Sequence, residues 1–210
     1  MPEGDAVRRL AGTLDELFVG GIVSASSPQG RFASSAALLD GWVMQRVRVH
    51  GKHMFIGFVP PIPGERYEAG VTLLEGAAAG SGEPLLGEGA PWPDRWVHIH
   101  LGLYGWWRFN GDETVVDEGH GVAHRIPNVA KGEWNGHSET RWGEGFGEAK
   151  AGEWEPPAPV GAVRLRLFND HAVADLVGPN RCDLITDGER ITAESKLGPD
   201  PLDAGARSDA

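Results

Sequence analysis

A chain of 210 residues with net charge -11 and a single cysteine, Cys182, is long enough for one domain with a real core, but it can form no internal disulfide and no cysteine-pair zinc finger. Its 31 glycines and 15 prolines favour a turn-rich β body over a helical bundle. The lone cysteine points to a reducing, cytoplasmic setting; the N-terminus lacks the apolar core of a signal peptide, and no apolar run reaches the about 18 residues that span a membrane, so no membrane association is expected. Such acidity argues by itself against nucleic acid, yet the charge is unevenly spread. Residues 1–59, 96–109 and 161–182 hold 10 Lys and Arg against 7 Asp and Glu, whereas 60–95, 110–160 and 183–210 hold 9 against 23. The patterned segments are mildly basic, and the acid lies in Gly/Pro-rich loops and the tail.

Val7, Leu10, Ala11, Leu14, Leu17 and Phe18 recur at helical spacing and predict an amphipathic helix, with Asp5 as N-cap and Gly20-Gly21 as its stop. "GIVSAS" reads as a strand. "WVMQRVRVHGKHMFIGFV" reads as two strands joined at His50-Gly51-Lys52, because Val43, Val47 and Val49 alternate before the turn and Met54, Ile56 and Phe58 after it. Residues 60–95 form a long insertion with a short strand at Val71–Leu74. "RWVHIHLGLYGWWRF" is the next strand pair, turned at Gly102–Gly105, and residues 110–160 are a second insertion. "GAVRLRLFNDHAVADLVG" is a hairpin turned at Asn169-Asp170, and "LGPDPLDAGARSDA" closes the chain as a polar tail. No internal repeat is present. The expected fold is mainly β with an N-terminal helix: a two-layer sandwich of antiparallel strands flanked by one or two helices.

Pro2 follows an initiator Met that a small second residue allows to be removed, which would leave a secondary amine at the N-terminus. An α-amino group titrates near about 7.7–8.0, so a substantial minority is unprotonated and nucleophilic at neutral pH. A secondary amine that attacks a sugar C1′ gives an iminium with no N–H to lose, an electron sink for β-elimination. Glu3, at the positive end of a helix, could pass protons to and from the reacting sugar. Taken alone, the Met-Pro dipeptide reads as an extended lead-in to a helix rather than as a nucleophile.

The dipeptide is not alone. "MPEGD" at the N-terminus, "GKHMF" at 51–55, "HLGLYGWWRF" at 100–109, the "VRLRL…ADLVGPNRCDLI" hairpin and "LGPDPLD" at 197–203 together resemble the formamidopyrimidine-DNA glycosylase/endonuclease VIII family of base-excision repair enzymes. The resemblance implies Pro2 as Schiff-base nucleophile, Glu3 as general acid/base, and Lys52 as a phosphate-contacting lysine also needed for catalysis. It implies Leu103 and Tyr104 as wedge residues that fill the gap left by a flipped nucleotide, although other members of the endonuclease VIII branch carry Gln where Gly102 stands. In "VGPNRCDL", read as a loop, Arg181 is kept from an Arg-Arg-Phe-Gly pattern while the phenylalanine is missing, and Ala6 stands where a second acidic residue is often found. The missing phenylalanine favours the endonuclease VIII branch, with oxidised pyrimidines and abasic sites as substrates. Residues 1–203 are then the N-terminal catalytic domain with its two insertions. The tail at 204–210 stands where a helix-two-turn-helix domain would begin, so the chain reads as a catalytic-domain fragment, weak or inactive alone because a mildly basic surface neutralises few phosphates. Its expected partner is double-stranded DNA with a damaged base or abasic site, bound by a monomer. No cofactor is called for in this chain, zinc being expected only in the absent C-terminal half.

His98 and His100 alternate with Ile99 and so share one strand face, as structural histidines rather than a metal site, since no carboxylate or cysteine stands at ligand spacing. His50 and His53 flank Lys52 in a turn that solvent would cover. Trp92, Trp134, Trp142 and Trp154 fall in the insertions, where they either pin the loops to the sheet or form an interface, and Cys182 reads as a small core residue. Two other functions compete with repair chemistry: a module that binds lesions or abasic DNA without cutting, and an N-terminal-proline tautomerase, which would be built from short βαβ repeats.

Overall fold

The computed structural model describes residues 2–67, 92–111 and 154–197, without the side chains of Pro2, Glu3 and Asp5. The strand expected at Val71–Leu74, most of both insertions, "LGPDPLD" beyond Leu197 and the tail at 204–210 lie outside the described residues.

The first helix, α1, runs from Pro2 to Phe18 and therefore starts three residues ahead of the expected cap at Asp5. Proline suits that place. Its missing N–H is one of the donors a first turn leaves unpaired, and its ring presets a helical φ. The apolar stripe is buried as its spacing requires, from Ala6 and Val7 through Leu14 to Phe18. The helix stops where Gly20 takes a positive φ of 89°, and Gly20 N–H then donates to the Met44 carbonyl at 2.9 Å.

The described residues form eight antiparallel strands, most of them expected from alternation: β1 (Ile22–Ser26), β2 (Trp42–His50), β3 (His53–Val59), β4 (Arg95–His100), β5 (Trp106–Gly111), β6 (Val163–Phe168), β7 (Ala172–Val177) and β8 (Arg181–Thr186). Their order is β5-β7-β6-β1-β2-β3-β4-β8. The short strand β1 belongs to two ladders: Ile22 and Val23 pair with β2, and Ser24–Ser26 pair with β6. It is the fold line at which one sheet turns into a sandwich-like pair of layers. Met54, Ile56, Val97 and Ile99 from one half and Leu165, Leu167, Ala174 and Leu176 from the other share one core with α1. Buried Cys182 belongs to that core, and burial, its largest influence, pushes its thiol up to about 12.

Two expectations are corrected. The strands of "RWVHIHLGLYGWWRF" do not pair with each other: β4 lies between β3 and β8, β5 lies beside β7, and the Leu101–Gly105 link carries the chain from one layer to the other. "VGPNRCDL" is only half a loop, because Arg181 opens β8. The described residues hold three helices, α1 and two more that flank the strands. The short α2 (Ala33–Leu39) buries Ala36 and Leu39. The third, α3 (Asp187–Ser195), starts at a capping box in which Thr186 and Glu189 satisfy each other's backbone N–H groups. No helix of the described residues is long and apolar enough to cross a membrane.

Candidate active site

The β2–β3 hairpin closes with His50 opposite His53, leaving Gly51 and Lys52 as a two-residue turn. Gly51 has φ 57° and, among the described residues, no non-glycine residue has a positive φ, which is the sign pattern of a II′ turn, where a leading glycine matches the twist of the strands. Lys52 is exposed at its tip. The register carries the same row onward, His53 to His100 and His100 to Arg181. Four strands thus bring His50, His53, His100 and Arg181 to one end of the sheet beside Lys52. Arg181 Nε donates to Asp183 Oδ2 at 2.7 Å.

The Leu101–Gly105 link leaves from that same end. Gly102 has φ 67°, and a Cβ there would meet the Asn180 Cβ at 2.8 Å; Asn180 N–H donates to the Leu101 carbonyl at 3.3 Å. The link is therefore seated on the residue that precedes Arg181. Its apex projects Leu103 and Tyr104, 75% and 81% exposed, so neither is a packing residue of the sheet. Apolar side chains held out this way cost solvation.

Behind the row lies a histidine cluster. His53 Nδ1 and His98 Nε2 are 2.9 Å apart, one ring donating and the other accepting. His98 stacks on Phe55 at 4.4 Å, and the His53 and His100 rings are 4.6 Å apart. Burial first, then the charges of His100 and Arg181, pushes His53 down to about 4; burial, then Arg181 and His53, does the same to His98. Burial and then Lys52 and Arg181 also lower His100. The His53 and His98 rings are thus held in the neutral form near pH 7, beside the side chains of Lys52 and Arg181.

Farther along the outer face, Trp92 pins the end of the first insertion: the Arg46 guanidinium lies 4.2 Å from its ring centroid. Arg190 of α3 lies 4.8 Å from the Trp96 ring, donates to Asp187 at 2.8 Å and pairs with Glu194. Arg48 joins the same Glu194 at 3.2 Å. This end is closed by its own contacts, and Trp92 serves the sheet.

Of the residues singled out from the sequence, Lys52, Arg181, Leu103 and Tyr104 converge. Pro2 and Glu3 lie in the first turn of α1, their side chains outside the described residues. Asn180 and the His53–His98 contact went unforeseen. The alternation of His98 with His100 was visible, but the diagonal reach from His53 depends on strand register.

No family model matches the chain. It is 32% identical over 210 residues to the proteins called Endonuclease 8 1 of Mycobacterium tuberculosis (strain ATCC 25618 / H37Rv) and Mycobacterium bovis, an alignment covering 100% of this chain and 50% of each relative. The chain thus spans about half the length of the curated relatives it matches. Similar solved structures include the Lactococcus lactis Fpg complexed with abasic-site DNA, with TM-score 0.46 and 13% identity over 93% of this chain and 46% of that one. MutM complexed with carbocyclic 8-oxo-G DNA gives TM-score 0.48 and 12% identity over 93% of this chain and 49% of that one. Neither structural likeness bears on the chemistry of the site. The whole of this chain, including the motifs that the fold gathers at one end of its sheet, is thus similar at 32% identity to about half of the Endonuclease 8 1 proteins.

Proposed function

We propose that this chain is the catalytic domain of a DNA glycosylase and abasic-site lyase acting on damaged duplex DNA, with oxidised pyrimidines and abasic sites as preferred substrates. Pro2, once the initiator Met is removed, attacks C1′ of a flipped nucleotide; the N-glycosidic bond breaks and the base leaves. Glu3 shuttles the proton that opens the sugar ring. The resulting iminium accepts the electron pair as a C2′ proton is lost and the 3′ phosphate departs, and a second elimination expels the 5′ phosphate. Lys52 and Arg181 hold phosphates at the reacting strand, and Leu103 and Tyr104 occupy the vacated stack, an apolar slot suited to a ring and an isobutyl group.

The observation that carries this reading is the convergence of Lys52, Arg181 and the exposed Leu103–Tyr104 apex on one end of the sheet in a relative of Endonuclease 8 1 proteins. The run of α1 supports it. Just past its end, Gly20 donates to the carbonyl of Met44, early in β2, and the helix packs against that strand. A helix of 17 residues is about 25 Å long, the reach this reading requires for Pro2 to meet the strand held at the His50 end.

The test is reductive trapping. Incubated with an abasic duplex and borohydride, the protein should form a covalent adduct that is lost when an extra residue precedes Pro2. An adduct that survives the blocked N-terminus refutes the proposed nucleophile, and binding without cleavage or adduct selects a non-cutting lesion-binding module instead.

A further inference from the structure

We propose that His98 is a positioning residue which, through its hydrogen bond to His53, fixes the Gly51–Lys52 turn for the reaction. The inference rests on the lyase reading above.

His98 is 3% exposed and stands in register with Phe55 on one side and Asp183 on the other. His53 is its diagonal neighbour, and the 2.9 Å contact between Nδ1 of one ring and Nε2 of the other crosses from β3 to β4. A buried ring nitrogen needs such a partner, and a diagonal cross-strand pair can supply it. The groups around the two rings are Lys52 and His50 at the hairpin, His100 on β4, and Arg181 and Asp183 on β8. The cations among them oppose protonation of either imidazole, so the two rings stay a donor–acceptor couple rather than two facing N–H groups.

The position of His53 makes the couple useful. It follows Lys52 directly and closes the last pair of the hairpin with His50. On the other flank, Gly51 has no side chain with which to restrain the turn. The hydrogen bond ties the flank nearest the lysine to a second strand, and through the 4.4 Å stack of His98 on Phe55 to the body of the sheet. A lysine that must meet a phosphate within hydrogen-bond distance gains from this, since a displacement of about 1 Å can cost about a hundredfold in rate. Removal of the imidazole at position 98 also strands the His53 nitrogen.

The experiment uses the full chain and an abasic duplex. The readouts are the single-turnover rate of reductive trapping at saturating protein and the apparent Kd for DNA. We expect His98→Leu to slow trapping about tenfold with Kd changed less than about threefold, and His98→Gln, which can still hydrogen-bond His53, to recover most of the rate. In a Lys52→Ala background, His98→Leu should add little, because residues acting through one another are non-additive. If His98→Leu unfolds the protein, His53→Leu removes the same tie from its half-buried side and should give the same loss. An unchanged rate in the folded variant, or the same tenfold loss in the Lys52→Ala background, overturns the positioning role while wild-type trapping leaves the lyase reading standing. Failure of the wild type to trap overturns both.

Discussion

Asp15 offers a stability test that owes nothing to DNA. It lies in the last turn of α1, where the helix dipole is negative, half-buried and followed by Glu16. Burial, with Glu16 adding to it, raises its carboxyl from 3.8 to about 6. In the unfolded chain it titrates near the ordinary value, so folding favours the protonated form. Its contribution is intact below about pH 4 and is lost as pH rises toward the folded value. A shift of about two units corresponds to about 3 kcal/mol at most, and partial solvent access reduces it to about 2 kcal/mol at pH 8. Asp15→Asn, which carries no charge in either state, should therefore stabilise the protein by about 2 kcal/mol at pH 8 and by under about 0.5 kcal/mol at pH 4. For a chain of this size that is a Tm increase of about 4–8 °C at the higher pH, measured by circular dichroism on both proteins at both pH values. An equal gain at the two pH values would mean that the exchange of carboxyl for amide, rather than the loss of a charge, is responsible. No gain at pH 8 would refute the premise that the folded protein disfavours the carboxylate.

The outer face of the other half-sheet holds Asp175, 1% exposed, whose carboxylate receives Arg166 Nε at 2.8 Å and Nη2 at 3.3 Å. Asp175→Ala should cost about 3–5 kcal/mol in urea unfolding, because Arg166, 7% exposed, would be left charged and unpaired; a cost below about 1 kcal/mol would show that the arginine finds water. Leu103→Ala and Tyr104→Ala should leave stability within about 0.5 kcal/mol while slowing strand cleavage at abasic sites. Cleavage that is untouched in the double variant would remove these residues from the site.

The strands were legible because each layer buries one face, so core residues recur at every second position, as at Met54, Ile56 and Phe58 or at Leu165 and Leu167; in β2 the register shift between Met44 and Arg46 breaks the alternation, and Met44 rather than Val43 joins that core. Pairing was not legible. Alternation says which side chains point inward and nothing about which strand stands alongside, and β4 and β5 were mistaken for a hairpin although a short turn links them. The helix α3 escaped for another reason: its one buried residue is Arg190, covering Trp96 through its guanidinium, so no apolar stripe marks it. The capping box "TDGE" at Thr186–Glu189 was its visible signature. At the candidate site the separate motifs were readable as strings. Their union was not, because Lys52, His100 and Arg181 meet through the register of three strands whose members stand far apart in the chain. The earlier start of α1 follows from treating Pro2 as a first helical residue rather than as a residue outside the helix.

The most direct test of the repair chemistry is to digest the borohydride-reduced adduct with abasic DNA and map by mass spectrometry where the sugar remnant is attached. The account predicts attachment at the N-terminal nitrogen of a peptide that begins with Pro2. A remnant on Lys52, or on any other side chain, would contradict it.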